Sequence, residues 1–437
     1  MRRRFTIAVA VFCAALAFVP AARAQDAPPV IEDWSLHAQS TLIYQGDFGF
    51  HSPYQGPNSL SGNQQWRETV SATGFLGRRL PWDGGALYFD PEFDQGFGVS
   101  RSLGIASFPN GEAVKAGFDT PKPNVARLFL RQSFGQGGGE EYLQPGQNQL
   151  GEKLDIDRVT VTAGKFSAAD IFDANAYAHD PRTQFLNLSF IDAPAWDYPA
   201  DSKGYSDGLA AELNRADWAF HWGAMIEPKI ANQRDLDPRF WIHLGTMAQL
   251  DERYSIGGQD GVVRELVFLS RADMGNLAQA ASNGGNIAAT RHDRYKAGFV
   301  LDLEQAIADD WGLFARLSWN DGRSEPWVFT DIDRGVSAGL SLQGNSWGRA
   351  RDTLGLAGAV NGVSKAHANY LAAAGTGIFI GDGRLDYAPE AVIETYYAVF
   401  LAEPARFTLD YQFIANPAFN QDRGPVSLFA ARLHVEY

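Results

Sequence analysis

The chain has almost no cysteine. Its one copy in 437 residues, Cys13, lies in an apolar stretch near the N-terminus. A cystine-stapled fold and a cysteine-ligated metal site are therefore excluded. Lysine is scarce as well, with 8 copies against 29 arginines, and acids outnumber bases by 51 to 37. A net charge of −14 lacks the basic footprint that nucleic acid requires, so no nucleic-acid partner is expected. Beyond Ala24 no apolar run approaches the roughly 18 residues of a membrane-spanning helix. The eight histidines show no H-E-x-x-H spacing, and the Gly-rich string at 135–139 lacks the Lys-Ser/Thr of a phosphate loop. That string reads as a flexible turn. No metal, no cofactor and no catalytic residue are expected.

What is present begins with a leader. Arg2, Arg3 and Arg4 precede an apolar stretch at 6–19, and Ala22-Arg23-Ala24 is a small-x-small cleavage site. This is the pattern of a secretory signal peptide, with cleavage near Ala24. The division expected is 1–24 as signal and 25–437 as one domain. Losing four arginines takes the net charge from −14 to −18. An exported chain with 13% aromatics and 45 glycines, but no spanning helix, is a soluble β protein or an outer-membrane barrel.

The C-terminal string SLFAARLHVEY at 427–437 poses that choice in miniature. Ser427, Phe429, Ala431, Leu433, Val435 and Tyr437 form one row, and Arg432, His434 and Glu436 fall in the other. A strand sends successive side chains to opposite faces, so one face is apolar and the other charged. The same period-2 pattern recurs from 311 to 320, with Phe314 as an exception, and at 295–304, 218–227, 336–343 and 407–413. Further segments bring the strand count to about sixteen; they include 34–44, 68–76, 86–90, 125–134, 158–165, 205–214, 242–253, 262–271, 352–360, 375–380 and 393–401. Connections fall into two classes. Those at 214–217, 306–310 and 403–406 are short, whereas 51–65, 167–204, 271–294 and 381–388 are long. Short turns at one end and long loops at the other is the asymmetry of an outer-membrane barrel.

A soluble sandwich alternates too. Three features favour the barrel. Apolar rows begin or end on Trp311, Trp319, Tyr295, Tyr411 and Tyr437, as interfacial girdles do. The opposite faces carry charge in nearly every strand, as a wet interior requires. The last strand also stops on an aromatic residue, which suits a barrel whose first and last strands pair. The fold class expected is all-β: a transmembrane antiparallel barrel of about sixteen strands, wide enough for an aqueous channel.

Other motifs carry less. G-x-S-x-G occurs twice, around Ser206 and Ser337, but both serines lie in strand patterns rather than on a strand-to-helix turn. Asp155 with Asp157, and Asp331 with Asp333, read as lumen-facing or turn acids. His221 and His434 read as polar-face residues. Segment 167–204 stands apart, because loops beyond about 12–15 residues are usually functional. It sets Asp170, Asp173, Asn175, His179, Asp180 and Arg182 beside Phe172, Tyr177, Trp196 and Tyr198. Sugars offer hydroxyls and apolar C–H faces, which such a mixture recognises through hydrogen bonds and ring contacts. The candidate constriction residues are Asp170, Asp173, Asn175, Tyr177, His179, Asp180, Arg182 and Trp196.

Several strings carry a family resemblance: GKFSAADIFD at 164–173, NAYAHDPRTQFLN at 175–187, Asn361-Gly362, DYQFIANPAFN at 410–420 and RGP at 423–425. SPYQGPNSL at 52–60 and FPNGEA at 108–113 add a subgroup pattern. The chain resembles the OprB-like carbohydrate-selective porins of Gram-negative bacteria over nearly its whole mature length. The resemblance implies a sixteen-stranded outer-membrane barrel passing sugars such as glucose by facilitated diffusion. Transported sugars, outer-membrane lipid and the barrel-assembly machinery, acting on the strand that ends at Tyr437, are the partners expected. The alternatives are a barrel plugged by its own loops that is structural or binds glycans, an exported soluble glycan-binding protein, and an outer-membrane esterase.

Overall fold

The computed structural model describes residues 30–437; the leader at 1–24 and Cys13 lie outside the described residues. Period-2 patterning becomes strand almost everywhere it occurs. The strands are β1 (Trp34–Asp47), β2 (Gln65–Arg79), β3 (Gly85–Gly96), β4 (Phe118–Gly135), β5 (Glu140–Leu143), β6 (Glu152–Asp155), β7 (Arg158–Phe166), β8 (Ser206–Asn214) and β9 (Trp218–Ile226). They continue as β10 (Leu244–Ile256), β11 (Gln259–Met274), β12 (His292–Ala308), β13 (Trp311–Asn320), β14 (Arg334–Gly344), β15 (Arg349–Gly362), β16 (Glu390–Ala402), β17 (Ala405–Ala415) and β18 (Val426–Glu436). All but β5 and β6 form one closed antiparallel barrel of sixteen strands. β1 pairs with β18 from Gln39 opposite Glu436 to Gly46 opposite Phe429, so no edge remains open.

The barrel inverts the usual burial rule. On its outside, Val267 is 58% exposed, Tyr295 55% and Val336 55%, while the inward-facing Lys296, Asp302 and Arg316 are 1%, 0% and 2% exposed. Charged residues are almost never enclosed unless paired, and large apolar side chains do not normally cover a surface in water. An apolar outer band around a polar interior is the arrangement of a transmembrane barrel. Among the described residues no helix is long and apolar enough to cross a membrane.

Two departures from the sequence pattern are instructive. Residues 375–380 alternate but form no strand; they lie in the connection between β15 and β16. Phe379 and Ile380 are buried there, with the Phe379 ring 5.2 Å from that of Phe108 in another loop. Loop-on-loop packing has imitated a strand. Conversely, Phe314 breaks the alternation of β13 by pointing inward, where it is fully buried against the rings of Phe185 and Phe190 at 5.6 and 6.4 Å. Both rings belong to segment 167–204, so Phe314 is an apolar seat for that loop.

The long connections share one end of the barrel. At the other end, β8–β9, β10–β11, β12–β13 and β16–β17 join by short turns. The exception at that end is the β4–β7 connection at 136–157, which carries the separate β5–β6 hairpin.

Candidate functional site

Segment 167–204 folds into the barrel, and side chains of the wall hold its backbone. Arg316 on β13 is the central clamp. Its guanidinium donates to the Asp173 carboxylate at 3.0 Å and to the carbonyls of Phe190 and Ala178 at 2.6 and 2.8 Å. Arg432 on β18 donates to the carbonyls of Pro181 and Gln184 at 2.6 and 2.8 Å. Glu394 on β16 accepts the amides of Leu186 and Asn187 at 2.5 and 3.0 Å. Gln249 on β10 accepts the Asp173 amide at 2.9 Å, and Glu304 on β12 accepts that of Ala176 at 2.7 Å. An irregular loop inside a barrel has no ladder to satisfy its backbone groups, and the interior polar face supplies those partners instead. Small residues make room where the loop presses closest: a Cβ at Gly312 would stand only 2.0 Å from the Tyr177 ring.

A second loop, 97–117, joins the first. The Gly111 amide donates to the Leu186 carbonyl at 2.9 Å, and the Leu188 amide to that of Phe108 at 3.1 Å. Glu390 on β16 accepts the amides of Ala106 and Ser107 at 3.0 and 2.8 Å. Glu112 of this loop then faces Arg182 at 3.3 Å. Arg182 also lies 3.7 Å from Glu92 on β3 and 3.9 Å from Asp180. Beside this group the Tyr205 ring has Lys115 and Arg127 over it at 5.2 and 5.3 Å, and its hydroxyl donates to Glu92 at 2.9 Å. Arg127 on β4 pairs with Asp170 through two bonds of 2.7 and 2.5 Å.

The eight candidate residues divide by burial. Asp170 is exposed, and Tyr177, His179, Asp180 and Arg182 are half-buried. Asp173, Asn175 and Trp196 are enclosed. Asp173 is clamped by Arg316, Asn175 donates to Asp302 at 2.7 Å, and the Trp196 ring lies against Tyr198 at 4.9 Å and Phe172 at 6.4 Å. Desolvation by the surrounding wall and loops pushes the carboxyl pKa of Asp170 and Asp180 up, even though Asp170 is accessible from the lumen, but the guanidinium beside each, Arg127 and Arg182, outweighs it with the local hydrogen bonds and holds both below the ordinary value. Asp192, 3.9 Å from His179, is pushed up by burial. Sequence reasoning missed Glu92, Glu112, Lys115, Arg127 and Tyr205 as members of this group. Only the FPNGEA string pointed towards the second loop. Below the loop, at the turn end, Tyr177, Thr183 and Gln184 border a cavity of about 300 Å³ with Tyr396 and Arg406.

The remaining motifs are accounted for locally. Ser206 is fully buried and donates to the Ile226 carbonyl at 2.6 Å, and Ser337 lies in mid-strand. Asp331 accepts the amides of Ile378 and Phe379, and Asp333 that of Ser364. His221 sits between Glu212 and Asp251 at 3.4 and 3.3 Å, and His434 contacts Thr41 at 2.9 Å. At the long-loop rim Asp237, His243 and Asp273 converge, but Arg239 already bridges the two carboxylates at 2.7 Å each.

A closed barrel with a charged interior narrowed by inward loops suits a selective channel, and comparison with known proteins decides which kind. The model of the carbohydrate-selective porin, OprB family, matches residues 58–437. The chain belongs to this family. It is an outer-membrane carbohydrate porin. Among solved structures, the porin is similar to Pseudomonas putida OprB, with 13% identity, 93% of this chain and 94% of that chain covered, and a TM-score of 0.70. It is also similar to the channel DcaP of Acinetobacter baumannii (10% identity, 93% and 97% covered, TM-score 0.51) and to OccAB1 of the same species (9%, 94% and 98%, 0.51). At such identities these likenesses speak for the barrel fold. No curated protein matches the chain.

Proposed function

We propose that this porin passes mono- and small oligosaccharides into the periplasm by facilitated diffusion, through the gap between loops 97–117 and 167–204 and the wall of β3, β4 and β7. The observation that carries this reading is the interleaving of charge there. Arg182 stands among Glu92, Glu112 and Asp180, and Tyr205 stands under Lys115 and Arg127. A sugar hydroxyl both donates and accepts, so alternating carboxylates and cations exchange bonds with it all round, whereas a lining of one sign would sort ions. Asp170, His179, Asp180 and Arg182 provide polar contacts, and Tyr177 offers a ring further along, where it borders the turn-side cavity with Tyr396 and Arg406. Asp173, Asn175 and Trp196 act on the solute only through the loop's shape.

Swelling of proteoliposomes in mono-, di- and trisaccharides tests this. Rates that fall steeply with sugar size are expected; no sugar-dependent swelling by folded protein rejects the reading. A second reading, a plugged structural or glycan-binding barrel, draws on the extent to which loops fill the interior. A steady open conductance in planar bilayers opposes it.

Export completes the proposal. The leader is removed near Ala24, residues 25–437 form one barrel domain, and the barrel-assembly machinery reads the strand ending at Tyr437. N-terminal sequencing of outer-membrane protein and assembly of a Tyr437→Ala chain test these steps.

A further inference from the structure

One connection at the turn end is far longer than its neighbours. Elsewhere at that end a few residues join the strands, yet 136–157 separates β4 from β7. Gly137, Gly138 and Gly139 reverse the chain at φ of 89°, 77° and 94°, and β5 then pairs with β6. Residues 144–151, at the tip of that hairpin, lie against the inner wall. The Gln147 amide donates to Gln39 on β1 at 3.1 Å and to Glu436 on β18 at 2.9 Å. Asn148 donates to Asp90 on β3 at 2.8 Å, and its carbonyl accepts from Arg131 on β4 at 2.9 Å. Leu150 is fully buried in the cluster that holds Tyr88 and Phe129. The segment is tied down behind by Gly151, whose amide and carbonyl bond to Glu32 at 2.8 Å each, and by Arg79 with Glu152 at 3.2 Å. It therefore lies across the inner wall from β18 to β4.

The same wall connects it to the loop from the opposite end. Asn148 holds Asp90, Asp90 pairs with Arg127 at 3.3 Å, and Arg127 holds Asp170 of segment 167–204. A surface turn ordinarily runs over the outside, where water satisfies its backbone. Ordering a segment of this length costs conformational entropy that a two-residue turn avoids. Partners on four barrel strands, all facing inward, show where the compensation lies.

We propose that residues 144–151 form a second, exit-side constriction, so that the solute path is narrowed from both ends along the β18–β4 wall and Gln147 lines the lower narrowing. The proposal rests on the channel reading, but its test uses ions alone and so stands or fails separately from sugar selectivity. Replacing 136–157 by Asn-Gly joins β4 to β7 directly. Single-channel conductance in planar bilayers is expected to rise about twofold or more, in keeping with a wider path, and trisaccharide swelling to gain on monosaccharide swelling. Wild-type conductance in a folded barrel overturns the proposal, because a connection that merely braces the wall would lower melting temperature without widening the path.

A second variant decides the matter if the shortened chain does not fold. Gln147→Cys, whose new thiol is the only one left once the leader with Cys13 is removed, is treated with a bulky thiol reagent from the turn side. Loss of about half the current or more is expected if the residue lines the path. Failure of the thiol to label, or complete labelling with no loss of current, overturns the proposal.

Discussion

The two halves of the barrel wall use charge in opposite ways. From β13 to β18, several inward-facing charged side chains hold loop backbone: Arg316 and Arg432 take up carbonyls, and Glu394 and Glu390 take up amides. On β3 and β4, and on the loop residues facing them, charged groups meet one another instead, as Arg182 meets Glu112 and Arg127 meets Asp170. A charge bonded to backbone fixes shape and leaves little field for a solute. A charge answered by a side chain can exchange partners with a passing hydroxyl. One half thus sets the width of the pore, and the other sets its chemistry.

The strongest way to break this division is Arg316→Ala. It strips the enclosed Asp173 of the guanidinium 3.0 Å away, while Asp302 loses one at 3.5 Å but keeps Arg264 at 3.1 Å. Stranding a buried charge costs about 3–5 kcal/mol, enough to undock the loop while the barrel persists. Larger, noisier single-channel currents and loss of discrimination by sugar size are expected. Arg316→Lys should not rescue, because a single ammonium lacks the planar fork that reaches all of these acceptors. Glu394→Gln is a milder version: the amides of Leu186 and Asn187 sit on separate carboxylate oxygens, so one keeps a neutral oxygen and the other loses its acceptor. A loss of about 1–3 kcal/mol should show as conductance flicker rather than a new open level.

On the other half, Arg182→Ala should leave the width nearly unchanged and alter selectivity. It removes the cation among Glu92, Glu112 and Asp180, so cation over anion permeability should rise by about twofold or more. Reversal potentials in a salt gradient measure it. A change in conductance comparable to that of Arg316→Ala would erase the distinction between the halves.

These expectations also show what the sequence could tell. The barrel was legible because lipid outside and water inside impose a period of two on every strand. Even its breach at Phe314 has a cause, the apolar seat for Phe185 and Phe190. The importance of 167–204 was legible from excess length and composition. Which of its side chains face the gap was not, because an irregular loop has no period: Asp170 and Asp173 look alike in sequence, yet one is exposed and the other enclosed. Lys115, on the irregular loop 97–117, was hidden in the same way, and Arg127 and Glu92 on the wall were invisible for a related reason. Alternation marks the inward face of a strand but does not say which inward charges a loop will cover. The glycines at 137–139 read correctly as a turn, while nothing in their pattern disclosed that the turn serves an inward fold.

Acid separates the carboxyls of segment 167–204 further. Asp192 is pushed above the ordinary carboxyl value of 3.8 by burial, whereas Asp170 and Asp180 are held below it by the guanidinium beside each. As pH falls, Asp192 takes up its proton first, above 3.8. The ion pairs of Asp170 and Asp180 persist to that value and are lost only as pH passes through their lowered ones. Cation preference should therefore decline in two stages in a reversal-potential titration. A single step centred on 3.8 would show that the three carboxyls share one environment.

The smallest effect is expected from Ser206→Ala with Ser337→Ala, and its smallness is informative. Both serines sit in G-x-S-x-G, a pattern that activates serine only on a strained turn into a helix. Here Ser206 opens β8 with its hydroxyl donated to the Ile226 carbonyl, and Ser337 lies within β14. Neither belongs to the clamping residues or to the charged lining. Losing the Ser206 bond costs about 1 kcal/mol, which a closed barrel absorbs without moving its loops. Conductance, sugar swelling and ion selectivity of the double variant should match the parent. An ester-hydrolysing activity present in the parent and abolished in the variant would instead assign these serines a chemical role that the strand geometry argues against.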